Sequence, residues 1–272
     1  MSGGHAAKKH FGQHFLHDPQ VIERIVRCID PQPDDLLVEI GPGLGALTVP
    51  LLGRLNELHV VEIDRDVVPH LRAACGDAPG LQLHLADALR FDYGSLARPG
   101  RPLRLAGNLP YNISTPLLFH LLRFSPCIRD MHFMLQKEVV DRLIAAPGTN
   151  DYGRLTATVA VRAQAEGLFT IGPGAFRPPP KVDSAVVRIT PRPAPFAVAD
   201  LAAYDRIVTA AFSQRRKTLG NALRQLLPAA AIEAAGIDPR VRGETLAPAE
   251  FARLANAFEA RRRASAQQAG HI

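Results

Sequence analysis

Residues 36–45 read Leu36-Leu37-Val38-Glu39-Ile40-Gly41-Pro42-Gly43-Leu44-Gly45, and a helix-compatible stretch from Ala46 to Arg54 follows. A short apolar run, a glycine turn and a helix make up the opening unit of a parallel α/β sheet, whose strands are buried on both faces. Glycines in this turn let the backbone bend sharply and approach a ligand that a Cβ would exclude. Two glycines in a strand-to-helix turn are common, so the acid that follows carries the weight. Glu62 lies twenty-one residues after Gly41, at the end of the next apolar run, where a carboxylate can accept hydrogen bonds from both hydroxyls of a ribose.

The glycine spacing at Gly41, Gly43 and Gly45 is G-x-G-x-G, so no pyrophosphate has to be cradled. Asp87 closes the third apolar run, where it can accept from an adenine amino group or, alternatively, cap the next helix. An adenosine held by Glu62 and Asp87 without phosphate contacts points to S-adenosylmethionine.

Outward from this unit, short β-branched runs alternate with helix-length segments. Leu36 to Ile40, His59 to Ile63, Leu81 to Ala86, Leu103 to Ala106 and His132 to Leu135 read as strands of the parallel sheet, with Gly167 to Ile171 and Ala185 to Thr190 closing it. Pro191, Pro193 and Pro195 stiffen a linker, which places a domain boundary between Pro191 and Asp200. We therefore expect a first domain over residues 1–195, with an N-terminal arm over 1–20, and a small all-α domain over 196–272. In the second domain Ala202 to Ser213, Arg215 to Leu227 and Pro248 to Arg262 have helical apolar spacing, and Ala264 to Ile272 is expected to fray.

The fourth strand runs into Gly107-Asn108-Leu109-Pro110-Tyr111. Proline biases the residue before it toward an extended backbone, which holds the carbonyls of this turn outward. The Asn108 amide oxygen and the Leu109 carbonyl can then both accept from one exocyclic amine, while Tyr111 offers a flat ring for a base. An aromatic amine is a poor nucleophile because its lone pair is delocalised. Two acceptors localise that pair toward a sulfonium methyl, and orientation with electrostatic stabilisation replaces a strong base. Read alone, the same tetrapeptide is an ordinary turn.

Two further segments belong with this turn. Lys8 to Leu16 form a basic, aromatic arm able to fold over a cofactor, and Phe176-Arg177-Pro178-Pro179-Pro180-Lys181-Val182-Asp183-Ser184 forms a stiff ledge able to present Phe176 to a flipped base. Each also reads blandly, the one as a loose terminus and the other as a connector.

The chain has 272 residues, 47% of them apolar and 21% charged, which suits a globular protein with a large core and excludes general disorder. Its net charge of +6 is uneven, with +5 carried from Leu201 onward, and a basic appendage on a near-neutral body fits a polyphosphate partner as well as it fits a solvated face. Cys28, Cys75 and Cys127 have no CxxC pairing, so neither a disulfide scaffold nor a cysteine metal site is expected. His5, His10 and His14 lack carboxylate partners, and no metal is expected there either. Without an apolar leader or a membrane-length run, we expect a cytoplasmic protein with no membrane partner.

Taken together, KKHFGQHFL, VEIGPGLGALT, VEIDRD, NLPYNIST, FMLQKEVVDRL, FRPPPKVDSAVV and FSQRRKTLGNALR resemble the ribosomal RNA small-subunit adenine dimethyltransferase family, in order from Lys8 to about Phe258. The resemblance implies a Rossmann-like class I methyltransferase domain with a helical C-terminal domain. It implies transfer of two methyl groups from S-adenosylmethionine to N6 of each of two adjacent adenosines in the 3′-terminal hairpin of small-subunit rRNA, late in ribosome assembly. Carried over by position, cofactor contacts fall on His14, Leu16, Gly41, Gly43, Glu62, Asp87 and Asn108. Base contacts fall on Asn108, Leu109, Tyr111 and Phe176, and RNA contacts on Arg215, Arg216, Lys217 and Arg224. The implied partner is rRNA or a 30S assembly intermediate, met by a monomer. The arm departs from the usual pattern at one position, with His14 where asparagine is usual.

Two rival readings remain. A large-subunit rRNA adenine methylase of the antibiotic-resistance type shares the glycine loop and the Asn-Leu-Pro-Tyr turn, but KVDSAVV and the basic FSQRRKTLGNALR string favour the small-subunit enzyme. A noncatalytic RNA-binding assembly factor would not need Glu62, Asp87 and Asn108 together.

Overall fold

The computed structural model describes residues 14–269 except 77 and 215, and only the backbone at 268 and 269. Most of the expected arm, and Arg215, therefore lie outside the described residues.

In the first half of the chain, β1 (Phe15–Leu16) leads into α1 (Pro19–Ile29), whose start is dictated locally. Asp18 Oδ1 accepts from the backbone of Gln20 and Val21 at 2.9 and 3.2 Å, and Pro19 occupies the first turn, where no amide partner is needed. Alternating strands and helices follow: β2 (Leu36–Ile40), α2 (Thr48–Leu52), β3 (Leu58–Glu62), α3 (Val68–Cys75), β4 (Leu81–Leu85), β5 (Leu103–Asn108), α4 (Ser114–Leu121), β6 (Ile128–Gln136), α5 (Lys137–Ile144) and α6 (Arg154–Ala160). The strands β7 (Ala163–Ile171), β8 (Phe176–Arg177) and β9 (Ser184–Pro191) complete the set.

Seven strands form one sheet in the order β4-β3-β2-β5-β6-β9-β7, parallel from β4 through β6 and turning antiparallel at β9. Every residue of β2 and β3 is buried, as the apolar runs require. The chain leaves β2 toward β3 and β4 and then returns to β5 on the other side of β2. Ligands of open α/β sheets bind at such a reversal, outside the carboxyl ends of the strands. Gly107 permits the close approach of β5 to β2 there, because a Cβ on it would lie 2.3 Å from the Ile40 carbonyl oxygen.

At the opposite end of the sheet, Arg104 on β5 is nearly enclosed. It donates to Asp130 at 2.9 Å, to Asp35 at 2.7 Å and to the carbonyls of Ile29 and Asp30, so its buried charge is fully paired.

The strands agree with expectation to within a few residues at their ends, and the break after Pro191 falls at the expected linker, but Asp141–Ala163 belong to the helical unit and not to the first domain. The compact units comprise residues up to Val140 with Gln164–Pro191, and Asp141–Ala163 with Arg192 onward. The reason is packing: Tyr152, Ala157 and Val161 belong to the same buried cluster as Tyr204, Ile207, Phe251 and Leu254. Tyr152 donates its hydroxyl to the Leu246 carbonyl at 2.7 Å, and Tyr204 donates to that of Ala157 at 3.0 Å, so both buried phenols are satisfied.

The helical unit also contains α7 (Leu201–Phe212), α8 (Leu219–Leu223), α9 (Ala229–Ala234) and α10 (Pro248–Ala269). Two expectations need correction here. The basic string does not begin a helix: Arg216 and Lys217 sit in a turn, and α8 starts only after Thr218. The helix expected to end at Arg262 runs on to Ala269 within the expected tail Ala264 to Ile272, whose residues 270–272 lie outside the described residues. Glu259, one turn before, chelates Arg262 and Arg263 at 2.8 and 2.9 Å and ties that turn together.

Candidate active site

A cavity of about 360 Å³ opens at the reversal point of the sheet, within the range of small-ligand sites. His14, Leu16, Gly41, Gly43, Glu62, Asp87, Asn108, Leu109 and Tyr111, named from the sequence, all line it. They come from β1 and from the carboxyl ends of β2, β3, β4 and β5, which the parallel register brings to one edge.

Gly41, Gly43 and Gly45 all have positive φ, at 67°, 52° and 91°, conformations that side chains disfavour. At Gly43 a Cβ would also meet the Phe15 ring at 3.1 Å, so the glycine lets the arm close over the loop.

Glu62 ends β3 with Oε1 accepting from the backbone of Ile63 and Asp64, both at 2.8 Å, which fixes the carboxylate. Among the described residues Oε2 has only a long contact of 3.4 Å from the Gly43 amide, so that oxygen can still accept further hydrogen bonds. Burial raises the pKa of the carboxyl, and the backbone donors oppose the rise. Asp87 Oδ1 accepts from the Leu89 amide at 2.9 Å, as a cap would, and the residue borders the cavity. Exposed apolar Ile63, on the same wall, offers a surface for an adenine ring.

Glu39 also lines the cavity, and sequence reading passed over it. It is 1% exposed, accepts from the Thr48 hydroxyl at 2.6 Å, and has its pKa pushed up to about 7 by burial, with Glu62 adding to the rise. Its position inside an apolar strand offered no signal beyond its charge.

On the substrate side, Asn108 Nδ2 donates to the His14 carbonyl at 2.9 Å. The Leu109 amide donates to the Met134 carbonyl at 3.1 Å and anchors the turn to β6. The Tyr111 hydroxyl sits 2.8 Å from Ser184 Oγ, which is fully buried at the start of β9 and sets the direction of the ring. Ser184 was quoted in the ledge without a role; its partner lies seventy-three residues away and is invisible from the sequence.

Phe176 is not where the sequence placed it. It is 2% exposed, pairs across β8 and β1 with Leu16, and packs in the core with Ile171, Ala175 and Val186, outside the cavity lining. Period-two alternation on a two-residue strand turns Phe176 inward and leaves Arg177 exposed. The aromatic neighbour of Tyr111 is instead His14, with ring centroids 5.6 Å apart and planes inclined by 29°. His14 Nδ1 also meets the Pro178 carbonyl at 2.8 Å.

In the helical unit Arg216, Lys217 and Arg224 are exposed, the last just past α8. Among the described residues no three His, Cys, Asp or Glu side chains are grouped to hold a metal, and no helix is long and apolar enough to cross a membrane.

The pocket residues fit an adenosine-bearing methyl donor: glycines where the chain turns under the ligand, a free Glu62 oxygen for the ribose, Asp87 for the base. Comparison with known proteins agrees. The family model described as ribosomal RNA adenine dimethylase matches residues 4–260. The chain is 55% identical over 262 residues to a ribosomal RNA small subunit methyltransferase A from Ralstonia nicotianae, covering 95% of this chain and 92% of that one. It is 56% identical over 252 residues to the protein of the same name from Nitrosococcus oceani, covering 92% and 96%. Among solved structures, a dimethyladenosine transferase from Plasmodium falciparum superposes with a TM-score of 0.78 at 25% identity over 90% of this chain and 98% of that one. The 23S rRNA methyltransferase ErmE superposes with 0.68 at 27% identity over 90% and 99%.

Proposed function

The chain belongs to the ribosomal RNA adenine dimethylase family, and from that premise we propose that it dimethylates N6 of two adjacent adenosines in the 3′-terminal hairpin of small-subunit rRNA. S-Adenosylmethionine is the methyl donor. The large-subunit alternative is not favoured, since the 55–56% identical relatives carry the small-subunit name and ErmE is 27% identical.

One observation carries the site reading. Asn108 has its amide nitrogen committed to the His14 carbonyl, so its oxygen is the free end, in the same cavity as Glu62 and Asp87. Bound there, S-adenosylmethionine supplies a methyl group made electrophilic by the attached sulfonium. Glu62 and Asp87 orient the nucleoside portion, and the glycine loop brings the backbone close. In the first transfer Asn108 Oδ1 and the Leu109 carbonyl accept hydrogen bonds from the two N6 hydrogens of the target adenine, holding the nitrogen lone pair toward the methyl. After each transfer the nitrogen gives up one proton to solvent, and in the second the one remaining N–H donates to a single acceptor. Those same oxygens stabilise the positive charge that develops on nitrogen. Tyr111, held by Ser184, stacks on the base and fixes its plane.

Arg215, Arg216, Lys217 and Arg224 in the helical unit supply phosphate contacts, which position RNA without reading its sequence. The enzyme acts as a cytoplasmic monomer on a late 30S assembly intermediate. Mass spectrometry of 3′-terminal small-subunit rRNA fragments from cells with and without this gene tests the assignment. Four fewer methyl groups on two neighbouring adenosines in the deleted strain is the expected result, and identical masses would overturn it.

A further inference from the structure

The His14 ring has no part in the chemistry just described, yet three interactions converge on this residue. Its carbonyl accepts from Asn108, its imidazole lies over Tyr111, and its Nδ1 is 2.8 Å from the Pro178 carbonyl on the proline ledge. A carbonyl can only accept, so Nδ1 carries the proton and the ring is locked in orientation. Tyr111 is equally fixed, because its hydroxyl is bonded to the buried Ser184. Two flat rings, each pinned at its edge by a polar partner, therefore face one another beside the cofactor cavity that both of them line.

A centroid separation of 5.6 Å is that of a stacked aromatic pair and leaves no gap for a third ring between them. A purine stacked on the covered face of Tyr111 has to take the place of the imidazole. Phe176, the other ring named for this job, is in the core and outside the cavity lining. We infer that the His14 imidazole is a placeholder for the target adenine: it occupies the stacking face of Tyr111 in the free enzyme and is exchanged for the base when RNA binds. The inference rests on Tyr111 being the base platform.

The placeholder has a physical rationale. An empty slot would leave an aromatic face and the Pro178 carbonyl against water, and the imidazole satisfies both. Exchange breaks one aromatic pair and one hydrogen bond, and the incoming base restores the stack. The His14 main chain need not follow, so the Asn108 amide keeps its partner while the ring swings aside. Discrimination follows as well, since only a base that stacks better than an imidazole displaces it.

Two variants remove the ring while keeping the main-chain carbonyl: His14→Ala, and His14→Asn, which restores the residue usual at this position. The probe is the 3′-terminal small-subunit hairpin carrying 2-aminopurine at the target position, titrated onto enzyme saturated with S-adenosylhomocysteine. Stacking quenches 2-aminopurine, so the signal reports capture of the base and not RNA attachment elsewhere. Both variants should capture the base roughly five- to tenfold more tightly than wild type, the equivalent of one aromatic pair no longer broken. A double variant, Tyr111→Ala with His14→Ala, should lose that gain. Capture by His14→Asn that is unchanged or weaker, in a protein that melts as wild type does, overturns the inference. Failure here while wild type still methylates unmethylated small subunits leaves the proposed function standing, whereas a wild type that transfers no methyl to those subunits removes both.

Discussion

Asn108 Nδ2 and the His14 carbonyl oxygen are 2.9 Å apart, which joins residues ninety-four positions apart and decides which end of the amide faces the cavity. In the proposed mechanism the oxygen is the working end. Asn108→Ala removes an acceptor that acts as charge develops, and such groups are worth about two to three orders of magnitude in rate. Transfer of radiolabelled methyl from S-adenosylmethionine to unmethylated small subunits should fall by that factor while RNA affinity stays within about twofold of wild type, since phosphate contacts carry most of it. Transfer near the wild-type rate would refute the role.

Tyr111 makes two separable contributions. Replacing it with alanine removes the stacking surface, and transfer should lose roughly 1 to 3 kcal/mol of transition-state stabilisation. Tyr111→Phe keeps the ring and loses only the hydrogen bond to Ser184, for about 1 kcal/mol. Equal losses in the two variants would mean that the hydroxyl, not the ring, is what matters.

Glu39 should make cofactor binding depend on pH. Its carboxyl, pushed up to about 7 by burial, is partly protonated near neutrality. A ligand bearing a sulfonium and an ammonium binds the ionised form better, so its affinity should rise as pH climbs through about 7, with proton release on binding. In the free protein the sign is opposite: a raised folded pKa gives stability that is complete below the unfolded value of about 4.3 and is lost as pH rises through 7. Calorimetric titrations of S-adenosylmethionine at pH 6 and 8 should show the dependence in wild type and a weaker one in Glu39→Gln, where Glu62 remains.

For the basic string, neutralising Arg215, Arg216 and Lys217 together should weaken RNA binding and reduce the slope of log affinity against log salt. Each phosphate that the protein no longer neutralises changes the slope by roughly 0.7 to 0.9. An unaltered slope would return these residues to solvated surface.

Much of the sheet and most of the pocket were legible in the sequence for one reason. Strands buried on both faces read as apolar runs, and the residues that punctuate their ends, Gly41, Glu62 and Asn108, are the ones that line the cavity. What stayed hidden depends on long-range partners. The apolar positions around Tyr152 and Val161 look like those of any helix until Tyr204 and Phe251 are packed against them. The inward turn of Phe176 is set by pairing with Leu16, and no local pattern over two residues records it. Arg216 and Lys217 are good helix formers that fall in a turn, because Leu219 and Leu223, not they, are the residues that bury.

Arg104 was also hidden, and its removal gives the sharpest stability test. The side chain is 5% exposed and joins Asp35 and Asp130, whose side chains are 9% and 14% exposed. Arg104→Met leaves both carboxylates largely buried with only Arg129 nearby as a full charge, and breaking a buried pair in this way costs about 3 kcal/mol. That is a large part of a typical total stability of about 5 to 15 kcal/mol. The pH dependence has a definite sign. Burial raises both carboxyls, but the Gln32 amide and then Arg104 at Asp35, and His132 and then Arg104 at Asp130, outweigh it and hold both below the usual aspartate range. Their contribution is present above the unfolded value of about 3.9 and lost as pH falls through the lowered folded values. In Arg104→Met those folded values rise, so the acid loss should begin at higher pH and the plateau should be lower. Urea unfolding between pH 3 and 7 measures both quantities, and superimposable curves for variant and wild type would show that the arginine only fills space.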